Sequence, residues 1–101
     1  MLFRSDSDKR VKANIEPIRN ALEKVKQLAG HTYTRTDLED KTKRHMGMLA
    51  QDVLPIVPEV VGGSEDTRYS IAYGEMSALL VEAIKEIDVR LTALEAQVNK
   101  E

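Results

Sequence analysis

From Gly74 to Glu101 the chain contains neither proline nor a further glycine, and its apolar positions fall into one narrow stripe. Leu80, Ile84, Ile87, Leu91, Leu94 and Val98 are spaced four, three, four, three and four residues apart. That spacing is a heptad seam, with Ile84, Leu91 and Val98 at a and Leu80, Ile87 and Leu94 at d. A helix packed only on its own domain takes a wider apolar stripe, so the narrow seam predicts a coiled coil. Isoleucine at both a and d, with leucine also at a, favours three or four strands over two. Arg90 at g precedes Glu95 at e by five residues, the offset of an interchain pair between parallel helices. Such an exposed pair contributes only ~0.2–1 kcal/mol, but it favours parallel register. The alternative is a single amphipathic helix packed on its own domain.

Upstream the pattern is mixed. In "IRNALEKVKQLAG", Ile18, Leu22, Val25 and Leu28 recur at helical spacing, with Pro17 just before or inside the first turn and Gly30 as the C-cap. "HTYTRT" alternates and predicts a strand, and "DLEDKTKRH" is a charged loop. "HMGMLAQDVLPIVPEVVGG" runs from a short apolar strand into a short helix that Pro55 and Pro58 keep short. Gly62 and Gly63 open a turn with "SEDT". "RYSIAY" then predicts a second strand, with Tyr69, Ile71 and Tyr73 on one face, feeding the long helix. The fold class expected is α+β: a small head of short helices and strands, then a long C-terminal helix forming a parallel trimeric coiled coil.

With 101 residues, the chain holds one small domain with a thin core, which self-association would enlarge. A net charge of −2 gives no reason to expect a nucleic-acid surface. The absence of cysteine excludes disulfides and thiolate metal sites. No apolar run is long enough to cross a bilayer, and "MLF" followed by charges is not a signal peptide. His31 and His45 stand apart among polar residues, so no metal site is expected. Tyr69, Tyr73, Met46 and Met48 are most simply core.

The remaining chemistry lies in "DSDKRVK", Asp6 to Lys12. From the residues alone, Ser7 or Asp8 is a helix or turn cap and Lys12 a solvated side chain. Gln51 and Asp52 read equally as site residues or as a helix N-terminal region. Glu59 and Glu82 organise structure. The loop from Asp37 to Arg44 is a solvated segment or an arm that grips a partner.

Four stretches, in this order, resemble the C-terminal intramolecular chaperone domain of phage tailspikes, tail fibres and endosialidases. "SDKRVKANIEPI" resembles that family's opening serine-aspartate, basic, aliphatic and lysine positions followed by "NI…PI". "GMLAQDV" resembles its Gly-x-Ile/Leu-Ala-Gln-Glu/Asp-Val block, and "VPEVV" its Pro-Glu-Val-Val block. "YSIAYGEMSALLVEAIKEI" resembles its aromatic strand running into "LLVEAIKEL". The likeness spans about Ser7 to Arg90.

The resemblance implies a homotrimeric folding clamp on the N-terminal β-rich fibre of the same parent chain, acting in the host cytoplasm during virion assembly. It also implies a one-shot serine peptidase that cuts between Asp6 and Ser7, with Ser7 as nucleophile and Lys12 as base. Asp8 and Gln51 are possible supporting residues, and no cofactor is expected. A lysine becomes a base at neutral pH only when burial or nearby cations bring its pKa from ~10.4 toward ~7–8. Lys9 and Arg10 supply local charge, and a trimer seam would supply the burial. Residues 1–6 are then a residual upstream segment, 7–73 the head and 74–101 the trimerisation helix. The alternative is a trimerisation and folding cap that never cleaves and stays on its fibre.

Overall fold

The computed structural model describes residues 7–100. A 3-10 turn at Lys9–Val11 is followed by an exposed, irregular segment up to Asn20. Helix α1 is Ala21–Gln27, and the antiparallel ribbon that follows joins β1, His31–Tyr33, to β2, His45–Gly47. Helix α2, Ala50–Val53, and a 3-10 turn at Pro58–Val60 lead into a hairpin of β3, Val61–Ser64, and β4, Arg68–Ile71. The long helix α3 then runs Tyr73–Asn99, about 40 Å at 1.5 Å per residue. The α+β class and the long C-terminal helix are those expected from the pattern.

Several boundaries differ. Asn20 sits in the left-handed region at φ 56°, which no right-handed helix continues through, so α1 starts after it. Pro17 and Ile18 therefore lie outside the helix. The C-cap is Leu28 in extended conformation, not Gly30. Gly62 and Gly63 belong to β3, and the turn is formed by residues 65–67. Gly63 has φ +83°, and a Cβ there would meet the Arg68 carbonyl oxygen, so the hairpin needs glycine at this point. Tyr73 is the first residue of α3 rather than a strand partner of Tyr69 and Ile71.

The core is small. Met76, Leu79 and Ala83, three and four residues apart on α3, are buried against Ala21 of α1, Val53 of α2, and Val57 and Val60 around the second 3-10 turn. Leu22, Val25, Leu28, Met48 and Ile71 close over it as half-buried neighbours. Met46, expected in the core, is 81% exposed, because the β1–β2 ribbon leaves its middle pair, Thr32 and Met46, facing solvent. Among the described residues, no helix is long and apolar enough to cross a membrane.

Candidate functional site

Ser7 directly precedes Asp8, the N-cap of the first 3-10 turn. The Asp8 carboxylate accepts the Arg10 backbone N–H at 2.8 Å. It also accepts the guanidinium through Nε at 3.0 Å and Nη2 at 2.7 Å. This forked contact with Arg10, then the Arg10 amide, holds the Asp8 carboxyl below the usual aspartate range, and Asp8 raises Arg10 in turn. Lys12 closes the turn, its backbone N–H donating to the Lys9 carbonyl at 3.1 Å. The fold thus sets Ser7 and Lys12 at the two ends of one turn. Both are exposed, and no hydrogen bond joins Ser7 Oγ to Lys12 Nζ. Asp8 offsets the Arg10 charge, leaving Lys9 as the other cation of the turn. Asp6, on the far side of the expected scissile bond, lies outside the described residues.

The seam on α3 is uncovered. Leu80, Ile84, Ile87, Leu91, Leu94 and Val98 are between 44% and 64% exposed. They lie beside, not on, the stripe of Met76, Leu79 and Ala83 that α3 buries in its own head. One helix therefore carries two apolar faces, one filled from within the chain and one open. Leu22 of α1 borders the open face, forming a shallow groove with Ile87, Arg90, Leu91 and Leu94.

Two of the resemblance blocks meet through Tyr73. Its hydroxyl accepts the Met48 backbone N–H at 2.8 Å. A Cβ on Gly47 would lie 2.6 Å from that hydroxyl, so the glycine of "GMLAQDV" is what lets the tyrosine of "YSIAYGE" seat there. Gln51 stands on α2 at a cleft shared with Tyr33, Arg35, Tyr69 and Ser70, whose lining includes neither Ser7 nor Lys12. Asp37 accepts from Arg35 Nε at 2.8 Å and Nη2 at 2.6 Å and lies 3.7 Å from Arg68. The Arg35 contact, chiefly, keeps Asp37 below the ordinary aspartate value. Among the described residues, no three His, Asp or Glu side chains come together as a metal site.

Sequence reasoning missed Glu86. Its carboxylate reaches from α3 to the start of α1, accepting the Ala21 N–H at 2.8 Å and the Leu22 N–H at 3.2 Å. Asn20 makes no side-chain cap, so Glu86 takes that place from another helix. The available signal was its position three residues after Ala83, on the buried stripe of α3, where a carboxylate needs a partner.

The head thus opens with a turn that carries Ser7 and Lys12 at its ends and leads to a helix whose heptad face is exposed. A peptidase-labelled family described as "Chaperone of endosialidase" matches residues 7–62, more than half of the chain. The chain belongs to this family. The first three resemblance blocks lie inside the match, and the helix block, which begins at Tyr69, lies wholly beyond it. The chain is similar to the "Long tail fiber protein Gp37" of Enterobacteria phage K3, with 34% identity over 97 residues, covering 90% of this chain and 8% of that protein. It matches the protein of the same name from Enterobacteria phage T2 equally, covering 7% of it. The one from Enterobacteria phage M1 is 35% identical over 95 residues, covering 87% of this chain and 38% of that protein. The chain therefore spans less than a tenth of the first two relatives.

Proposed function

We propose that this chain is the intramolecular chaperone of a phage tail fibre or tailspike, that it trimerises through α3, and that it releases itself by cutting between Asp6 and Ser7. The observation that carries this is the family match, which begins at Ser7 itself. The open seam supports trimerisation. Each side chain of this size gains ~1.5–3 kcal/mol on full burial, and the single chain leaves six of them about half in water. Long-range β pairing across three chains is slow and slips in register, because closure entropy precedes any reward. A parallel trimer of α3 turns that search into a local one. Cleavage afterwards makes assembly irreversible, and the fibre persists by its unfolding barrier.

In the cut, Lys12 Nζ takes the Ser7 hydroxyl proton as Oγ attacks the Asp6 carbonyl carbon. The proton passes to the Ser7 nitrogen as the amide breaks, leaving an ester. Water hydrolyses the ester, giving an Asp6 carboxylate and a free Ser7 amine. Lys12 is exposed in the single chain, so its burial has to come from assembly, which ties cutting to trimer formation. The test is intact-mass measurement of a parent fibre carrying the domain. A fragment beginning at Ser7 is expected, and it should vanish in Ser7→Ala and Lys12→Ala. Lys12→Arg should not restore it, because guanidinium stays protonated. Normal processing in Ser7→Ala would end the assignment.

The exposure of both dyad residues, with no bond between them, favours a second reading: a trimerisation and folding cap that never cleaves and stays on its fibre. It predicts an intact parent that still needs the domain in order to assemble.

A further inference from the structure

Between the two ribbons lies a cleft of about 450 Å³. One wall is Tyr69, Ser70 and Ile71 of β4, the other Tyr33 and Arg35, with Met48, Leu49, Gln51 and Tyr73 between them. Side chains of successive strand residues point to opposite faces. A cleft touching three in a row therefore runs along the edge of β4 and not across a face. Among the described residues no strand pairs with that edge, because the sheet has two strands and β3 occupies the other side. The phase of the ladder follows from one bond: Ala72 N–H donates to the Val60 carbonyl at 2.7 Å. Counting back along the register, Ser70 and Gly62 exchange bonds, while Tyr69 and Ile71 turn their N–H and C=O groups outward. The opposite wall is braced, since Asp37 holds Arg35 and also reaches Arg68 at the start of β4.

We propose that this cleft is a strand-addition site, in which an extended segment of the fibre part of the same parent chain pairs with the outer edge of β4 at Tyr69 and Ile71. The proposal rests on the chaperone role proposed above and names the surface that performs it. Two observations select the occupant. More than nine-tenths of the first relatives, both named as tail fibre proteins, lies outside the stretch this chain matches. An unpaired edge next to braced aromatic walls also recognises main chain first and side chains second, which suits a strand awaiting its partner. About three residues of extended chain, ~10 Å, fill the edge. Occupying a strand edge until its neighbour arrives suppresses the slipped pairings that make such fibres fail.

The test compares amide hydrogen exchange in the 101-residue chain and in the full fibre chain carrying Ser7→Ala, which keeps domain and fibre joined. The Tyr69 and Ile71 amides should gain about tenfold protection or more in the full chain. The Ser70 amide, already bonded to β3, should change little. Equal rates at Tyr69 and Ile71 in both proteins would overturn the strand site, as would protection that rises with concentration in the 101-residue chain alone, the sign of a second copy. In parallel, Leu49→Lys, which places a cation at the cleft rim, should lower the yield of assembled fibre while leaving the domain's own association intact. If deleting the whole domain leaves fibre assembly untouched, the chaperone role itself fails. If deletion blocks assembly but Leu49→Lys does not, only the strand site fails.

Discussion

Replacing Glu86 by alanine strips the start of α1 of its only carboxylate cap. The Ala21 N–H loses an acceptor at 2.8 Å and the Leu22 N–H one at 3.2 Å. Ala21 is fully buried, so its amide has no ready access to water as a substitute. Loss of an N-cap costs ~0.5–2 kcal/mol, and a hydrogen bond to a charged group contributes ~1.5–3 kcal/mol. One short and one long bond together give about 2–3 kcal/mol for Glu86→Ala. Glu86→Gln keeps a neutral acceptor for one donor and should lose about half of that. For a domain of this size, each kcal/mol shifts the unfolding midpoint by about 4–8 °C. Urea and thermal unfolding, at one fixed protein concentration because association adds to stability, measure the effect. Glu82, one turn earlier, pairs only with exposed Lys85 at 3.4 Å, so Glu82→Ala serves as the control and should stay within about 0.5 kcal/mol. If Glu86→Ala matched Glu82→Ala, the cross-helix cap would contribute nothing, and the reasoning from its geometry would be refuted.

Gly47→Ala should destabilise the head by about 1–3 kcal/mol by pushing its new methyl against the Tyr73 hydroxyl. Adding Tyr73→Phe should recover part of that loss, and additive costs in the double variant would contradict the contact. Ile87→Asp should convert a sedimenting trimer into monomer by placing a charge in the seam, whereas a wild-type chain already monomeric at micromolar concentration would remove the trimer from the proposal. The Asp37 carboxyl should titrate below the ordinary value of 3.8, and Arg35→Gln should move it back up. Because its folded-state pKa is depressed, its stabilising contribution is present above 3.8 and is lost as pH falls through the lower folded value. Carboxyl chemical shifts followed by NMR check both points.

The heptad seam and the long helix were legible in the residues, because both are periodic and each residue's place depends only on its near neighbours. The short β2–α2 run was legible too, since Pro55 and Pro58 limit what local geometry allows. Family membership was readable from the order of its short blocks. The tertiary structure decided which side of α3 is which: Met76, Leu79 and Ala83 go into the head, while Leu80, Ile84 and Ile87 stay open. Spacing alone does not separate two adjacent apolar faces, because it is the packing of α1, α2 and the second 3-10 turn that fills one of them. The start of α1 was likewise settled from a distance. Asn20 in a left-handed conformation and a Glu86 carboxylate 65 residues away in sequence end the irregular segment there, and no local pattern contains that partner. Tyr73 left its expected strand for the same reason, since its place is set by the gap above Gly47 and the bond from the Met48 amide, two features that only the folded chain brings together.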